Sequence, residues 1–492
     1  MSDLSDLELI FRSRTPIVLI ETHEELRILD VLKRLVLKLN KPLFAWTVTD
    51  GLRRVDVDFG NLGHTSDPVA VLKHIRSSNQ DGIYVLLDFH PYLEEPVNSR
   101  LLKEIAQNHY KTGQHVVLVS HKLELPNDLQ KLSARFDMDL PSREQLTRII
   151  KDEAYAWSAQ NGNRKVKTDS RTLDALVRNL GGLSMSDARS LARRVIFDDG
   201  AITESDLPEV MNAKYELLNQ DGLLSFEYET EKFSSVGGMS QLKRWLELRK
   251  RVFHSDGQDT GLQFPKGILL LGVQGCGKSL VSKAVAGIFA VPLLRLDFGT
   301  LYNKFFGESE KNLRQALKTA EVMSPCVLWV DEIEKGISTG DNDGGTSRRV
   351  LGTLLTWMAE NKKPVFMVAT ANDIVSLPPE LVRKGRFDEI FFVDLPKPET
   401  RAEILRIHLG LRGMDPKNFD MDQLVEVTQG FSGAEIEQAI VSALYVVHAN
   451  GEPLNTRHIM DEITRTRPLS IVMGEKIHAL REWASERTVP VE

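Results

Sequence analysis

Residues 270–279 read LLGVQGCGKS, in which the apolar residues Ile268 to Leu271 run into three glycines and a lysine, and the helical stretch LVSKAVAGIFA follows. The segment Gly272 to Ser279 fits the spacing G-x-x-x-x-G-K-[ST] between a strand and a helix. Glycines let the backbone fold around an anion, so that successive N–H groups and the helix N-terminus face a phosphate. Lys278 then reaches the β- and γ-phosphates, and the Ser279 hydroxyl becomes a ligand for Mg²⁺. Gly272, Val273, Gln274, Gly275, Cys276, Gly277, Lys278, Ser279 and Leu280 are therefore the expected cradle of a nucleoside triphosphate.

Further along, VLWVDE (327–332) is a buried strand ending in two carboxylates. Asp331 is placed to hold Mg²⁺ directly or through water, and Glu332 to orient and deprotonate an attacking water. Acids end many strands, but downstream of a phosphate loop the pair points to hydrolysis as well as binding.

The runs 267–271, 292–298, 326–331, 364–371 and 389–395 are apolar and alternate with amphipathic helical stretches, which predicts a parallel sheet covered on both faces. From Pro398 the pattern is helical throughout. The N-terminal half repeats this order more faintly: PIVLIE (16–21), GIYVLLDF (82–89), HVVLVS (115–120) and RFDMDLPSREQLTRII (135–150). FDMDLPSREQL (136–146) matches FFVDLPKPETR (391–401), and LGGLSMSDARSLA (180–192) matches TQGFSGAEIEQAI (428–440), in the same order. An internal duplication is the favoured reading. The expected division is 1–215, a degenerate copy; 216–233, a linker; 234–397, a large α/β domain; and 398–492, a helical lid with a tail.

The bulk numbers exclude several classes. The chain has 492 residues, 42% hydrophobic and 27% charged, as ordinary soluble proteins do. A net charge of −7 gives no overall basic field for nucleic acid, although RKRVF (249–253) and Ala192 to Arg194 offer local positive charge. The two cysteines, Cys276 and Cys326, cannot make a disulfide framework and suit a reducing cytosol. The start lacks the plan of a signal peptide, and no apolar run is long enough to span a bilayer. A cytoplasmic protein with no membrane contact is expected.

On these motifs the C-terminal half, about 235–465, resembles the AAA ATPases. FSSVGGMSQLKRWL (233–246) resembles their opening segment, which lies along the adenine and brings Gly237 to the base. ATAND (369–373) and LVRKGRFD (381–388) resemble the second region of homology. The resemblance makes Asn372 the polar sensor beside the γ-phosphate, and Arg383 and Arg386 fingers that reach the nucleotide of a neighbouring subunit. GFSGAEIE (430–437) resembles the start of the lid helices, where Gly433 and Ala434 contact adenine; no arginine stands at Ala434 as a second sensor. His408 matches a position near the base. LYNKFFGESEKNLRQAL (301–317) resembles a first pore loop, with Phe305, Phe306 and Gly307 as its aromatic–hydrophobic–glycine element, and GDNDGGTSRR (340–349) a second. LKRWLELRKRVF (242–253) and SPCVLWVDEIEKG (324–336) resemble a little-studied AAA group of bacteria, cyanobacteria and algal plastid genomes.

At the matching place the N-terminal half reads IETHEELR (Ile20 to Arg27), with no glycine and with Glu21, Glu24 and Glu25 where a phosphate would approach. Like charges repel and side chains block a backbone nest, so this copy is expected to be silent. Asp88 lacks a following glutamate, and His23 and His90 could suggest a metal or a catalytic pair, but isolated histidines are usually structural, which is the favoured reading. The resemblance implies a homo-oligomeric ring, a hexamer, that uses ATP and Mg²⁺ to remodel a protein client. The alternatives are a nucleic-acid-acting ATPase, such as a loader or motor, and a nucleotide-switch module. Glu332 argues against the switch, which needs no positioned base. A protease is disfavoured, since no H-E-x-x-H appears.

Overall fold

The computed structural model describes residues 3–57, 65–219, 222–227, 236–254, 261–301, 308–337, 346–374 and 376–492. Contacts divide the chain into two units: Met1–Ile149 with Leu183–Ser190, and Ile150–Gly182 with Leu191–Glu492.

The first unit is built on six strands, β1 (Ile17–Glu21), β2 (Leu43–Thr47), β3 (Gly51–Arg54), β4 (Gly82–Leu87), β5 (Gln114–Ser120) and β6 (Ser133–Arg135). Their order is β3-β2-β4-β5-β1-β6, parallel except for the β2–β3 pair at the edge. Alternate side chains enter opposite cores, Ile17 and Leu19 one and Val18 and Ile20 the other, as the two-residue period of a strand requires. Burial on both faces explains why these strands read as continuous apolar runs.

The second unit begins with helices flanking a two-stranded pair, β7 (Lys167–Thr168) and β8 (Ala201–Ile202). Its main sheet contains β9 (Leu224–Glu227), β10 (Gly267–Gly272), β11 (Leu293–Leu296), β12 (Cys326–Val330), β13 (Val365–Ala371), β14 (Glu389–Val393) and β15 (Val489–Pro490). The order is β15-β14-β10-β13-β12-β11-β9, with β9 antiparallel to β11 and the other pairs parallel. Leaving out β15, the strands β14-β10-β13-β12-β11 follow the connectivity of β6-β1-β5-β4-β2, and each sheet ends in an antiparallel edge strand, although β9 precedes β10 in the chain whereas β3 follows β2. The chain thus has a diverged α/β domain, without a phosphate loop, ahead of a complete one.

Leu269, Leu270 and Leu271 of β10 are wholly buried, each worth about 1.5–3 kcal/mol of transfer energy. The helices Pro398–Leu411, Met421–Val427, Gly433–Asn450 and Thr456–Arg465 pack as a lid around Leu405, Leu409, Leu424, Ile436, Ile440 and Ile459. Ser432 and Glu435 close a capping box at the third of these, satisfying N–H groups that the first turn leaves orphaned.

Three features differ from the expected division. The stretch 216–233 contains β9, whose Leu224 is buried in the main core, so part of the expected linker is a sheet edge. The helices of 150–182 and 191–218 belong with the second sheet; there the buried Lys214 amine donates to the Gly181 carbonyl and, at 2.9 Å, to that of Val322. Burial pushes this amine down to about 8. Past the lid, the helix Gly474–Ser485 returns Ile477 and Ala484 to the two cores of the large sheet, and β15 extends that sheet's edge. No helix among the described residues is long and apolar enough to cross a membrane.

Candidate active site

β10 ends at Gly272, where the backbone turns over the sheet edge with a φ of 152°. A Cβ there would stand 2.0 Å from the Val393 carbonyl oxygen on β14, so only glycine lets the loop leave between these strands. The loop closes at Gly277, a left-handed N-cap with φ 87°, and the helix Lys278–Phe289 starts immediately. Its N-terminus points out of the carboxyl end of a parallel sheet, where open α/β folds take their ligands.

The Lys278 side chain is buried, and its amine donates to the carbonyls of Gly272 at 2.7 Å and Val273 at 2.8 Å. Burial pulls the amine down to about 8, against weaker support from Cys276, Glu334, Glu332 and Asp331. The Cys276 thiol, also buried, is pushed up to about 12 and stays protonated at neutral pH.

Asp331 and Glu332 follow β12. Asp331 accepts from the Thr370 hydroxyl at 2.8 Å and from Arg295 at 3.0 Å. The Glu332 amide donates to the same Thr370 oxygen at 2.9 Å. Glu332 sits in the left-handed region at φ 46°, which costs a non-glycine residue about 1–3 kcal/mol and turns it away from the strand direction. One carboxylate oxygen then accepts from Asn372 Nδ2 at 3.0 Å, while the other pairs with Lys335. The backbone amide of Asn372 donates to Glu334 at 2.9 Å. Burial raises the Glu334 carboxyl above its usual range. Its second oxygen and Asn372 Oδ1 are buried without a hydrogen-bond partner.

Cys276, Lys278, Asp331, Glu332, Thr370 and Asn372 line one cleft of about 1300 Å³. Gly237, Gln274, Gly275, Cys276, Gly277, Lys278, Ser279, Leu280, Asp331, Glu332, Asn372, His408, Gly433 and Ala434 all border it. Gly272 and Val273 do not: their carbonyls hold Lys278 from behind the loop. The Ala434 amide donates to the Gly275 carbonyl at 3.0 Å, so the lid helix rests directly on the phosphate loop. His408 faces Glu437 at 3.5 Å, and burial lowers its pKa below the ordinary value. Ser279 and Asp331, both bordering the cleft, supply the hydroxyl and carboxylate oxygens that Mg²⁺ prefers.

Arg383 and Arg386 stand away from this cleft; Arg383 is exposed and Arg386 donates to the Leu355 carbonyl at 2.8 Å. Phe305, Phe306 and Gly307 lie outside the described residues, as does 340–345 of the second expected loop; the rest of that loop opens the helix Thr346–Glu360.

Sequence reading missed four contributors. Thr370, Glu334 and Arg295 act through pairings across strands, and no local spacing announces them. Glu492 borders the cleft, accepting from Thr400 at 2.6 Å, and comes there only because β15 joins the sheet.

In the first unit the corresponding loop is filled. Glu21 accepts from the Leu123 amide at 2.9 Å and pairs with Arg135. Glu24 accepts from the Ser186 amide at 2.9 Å and pairs with Arg27. The helix Glu25–Leu39 then begins without a glycine turn.

Three segments of the chain match known families. Residues 3–138 match the N-terminal domain of SpoVK-like AAA ATPases, 144–221 the second domain of that group, and 268–395 the ATPase family associated with various cellular activities (AAA). The "uncharacterized AAA domain-containing protein ycf46" of Pyropia yezoensis is 36% identical, covering 99% of this chain and 98% of its own length. Its namesake in Guillardia theta is 35% identical over 99% of this chain and 95% of its own. A proteasome-activating nucleotidase of Aeropyrum pernix is 30% identical over 68% of this chain and 83% of its own length.

Proposed function

Because the chain belongs to the AAA ATPase family, we propose that it hydrolyses ATP in the cleft above β10 and, as an oligomeric ring, uses the cycle to remodel a protein client. The observation that carries this reading is the Asn372–Glu332 hydrogen bond of 3.0 Å beside the phosphate loop. A switch that only binds nucleotide has no use for a carboxylate held in this way.

In this reading the loop amides and the Lys278 amine bind the β- and γ-phosphates. Ser279 and Asp331 would hold Mg²⁺, which would supply neutralising charge to the transferring phosphoryl group. Glu332 takes a proton from the attacking water as the new oxygen–phosphorus bond forms and ADP leaves. Asn372 fixes the direction of the Glu332 carboxylate. Arg383 and Arg386, standing off their own cleft, reach the nucleotide of the adjacent subunit and stabilise the charge there. Val236, Gly237, His408 and Ala434 enclose the base. Phe305, Phe306 and Gly307 grip the client, and the first unit serves as scaffold or recruiting surface without ATP. The reduced cysteines fit a cytoplasmic or other reducing compartment.

Mixing two defective proteins tests the shared site. Lys278→Ala and Arg383→Ala chains should each hydrolyse ATP poorly, and subunit exchange between them should restore part of the activity. Failure of exchanged mixtures to recover, with only monomers by light scattering, would remove the ring from the account.

A further inference from the structure

We propose that Asp88, His90 and His121 form a site for a divalent transition-metal ion at the carboxyl edge of the first sheet. Asp88 follows β4, His90 opens the short turn His90–Tyr92, and His121 follows the adjacent strand β5. Each offers one donor atom, and the three atoms lie within 4.8 Å of one another.

A buried hydroxyl gathers them. Ser120, 1% exposed, has its Oγ 3.1 Å from Asp88 Oδ1, 2.7 Å from His90 Nδ1 and 3.4 Å from His121 Nδ1. The hydroxyl donates to Asp88 Oδ1, and that oxygen and the histidine Nδ1 atoms drawn together around it are donor types that a cation takes as ligands. The His90 and His121 rings stand edge to face with centroids 4.7 Å apart. A third histidine, His23 from the loop after β1, stacks on His121 at 5.8 Å. Loops from three neighbouring parallel strands thus converge where such sheets bind ligands.

Two imidazoles and a carboxylate suit Zn²⁺ and its first-row neighbours rather than Mg²⁺ or Ca²⁺. Zinc bonds of about 2.0–2.2 Å in a tetrahedron need donors about 3.3–3.6 Å apart. Asp88 Oδ1 and His90 Nδ1 are 3.9 Å apart, and the Asp88 side chain, 63% exposed, has room to close the difference. A metal here would clamp the ends of β4 and β5 in the domain that has lost its phosphate loop.

The test is titration of chelator-stripped full-length protein with Co²⁺, without nucleotide or Mg²⁺, followed by displacement with Zn²⁺. One equivalent per chain should produce the visible bands of cobalt with nitrogen and oxygen ligands, and Zn²⁺ should abolish them. Lys278→Ala should bind the same equivalent, which separates this site from the ATP cleft. His121→Gln and the double variant His90→Gln/His121→Gln should lose the bands. Melting of each variant in chelator establishes that it is folded, and the exposed His121 gives a substitution the fold tolerates. The proposal is overturned if the parent takes up no cobalt at micromolar concentrations, or if the histidine variants bind it as the parent does; in either case the cluster is a hydrogen-bonded strand end and nothing more.

Discussion

Asn372 Nδ2 donates to Glu332 Oε1 at 3.0 Å, joining the residue after β13 to a carboxylate just past the end of β12. Asn372 is itself held by the bond from its amide to Glu334. In the proposed mechanism it acts on the direction of Glu332. Asn372→Ala should lower kcat by about a hundredfold, as a misplaced reacting group does, with little change in ATP affinity. Steady-state ATPase beside nucleotide titration checks this, and a rise in Kd that accounts for the whole loss would refute the positioning role.

The Lys278 amine supplies a pH prediction. Its pKa in the protein is lowered to about 8 by burial, while a bound phosphate favours the protonated form and raises it. Nucleotide binding therefore takes up a proton once the pH exceeds about 8. Affinity for Mg-ATP should be level between pH 7.5 and 8 and then fall by up to about tenfold per pH unit until the bound-state pKa is passed. Calorimetry in buffers of different ionisation enthalpy should detect the uptake. Affinity independent of pH up to 9.5 would mean that the amine is not desolvated as its burial indicates.

Gly272 is a backbone requirement. Because an added Cβ would meet the Val393 carbonyl at 2.0 Å, Gly272→Ala must push β14 aside or distort β10. A loss of at least about 1–3 kcal/mol is expected, measured by denaturant unfolding, together with loss of ATP binding. Parental stability in this variant would show that the strand ends have slack.

How much of this was legible in the sequence follows from what each residue depends on. β10, β12 and β13 are buried on both faces, so each is a continuous apolar run that announces itself, and β14 is buried from Phe391 onward. β9 and β15 are edge strands of four and two residues whose place depends on their neighbours, and no pattern in LSFE or VP distinguishes them from loop. The phosphate loop and the acids after β12 obey local spacings. Thr370, Glu334 and Arg295 contribute through contacts across strands, and the His121 partnership with Asp88 and His90 exists only because β4 and β5 are adjacent.

Phe305 and Phe306 separate a threading machine from an ATPase that works by shape change alone. Phe305→Ala should melt like the parent and keep basal ATPase while losing stimulation by an unfolded test protein, since gripping through apolar area needs no particular sequence. If both Phe→Ala variants instead lose about 3–5 kcal/mol of stability, the rings are core and the pore assignment fails.

The central claim is that ATP is hydrolysed in this cleft by Glu332, on phosphates held by Lys278. Measuring ATP affinity and turnover side by side for Glu332→Gln and Lys278→Ala tests it most directly. Glu332→Gln should bind ATP like the parent and turn over slower by roughly two to four decades, the range for removing a positioned general base. Lys278→Ala should lose tight binding, with no residual saturable site from the first unit. Equal loss of affinity in both variants, or parental turnover in Glu332→Gln, would contradict the account.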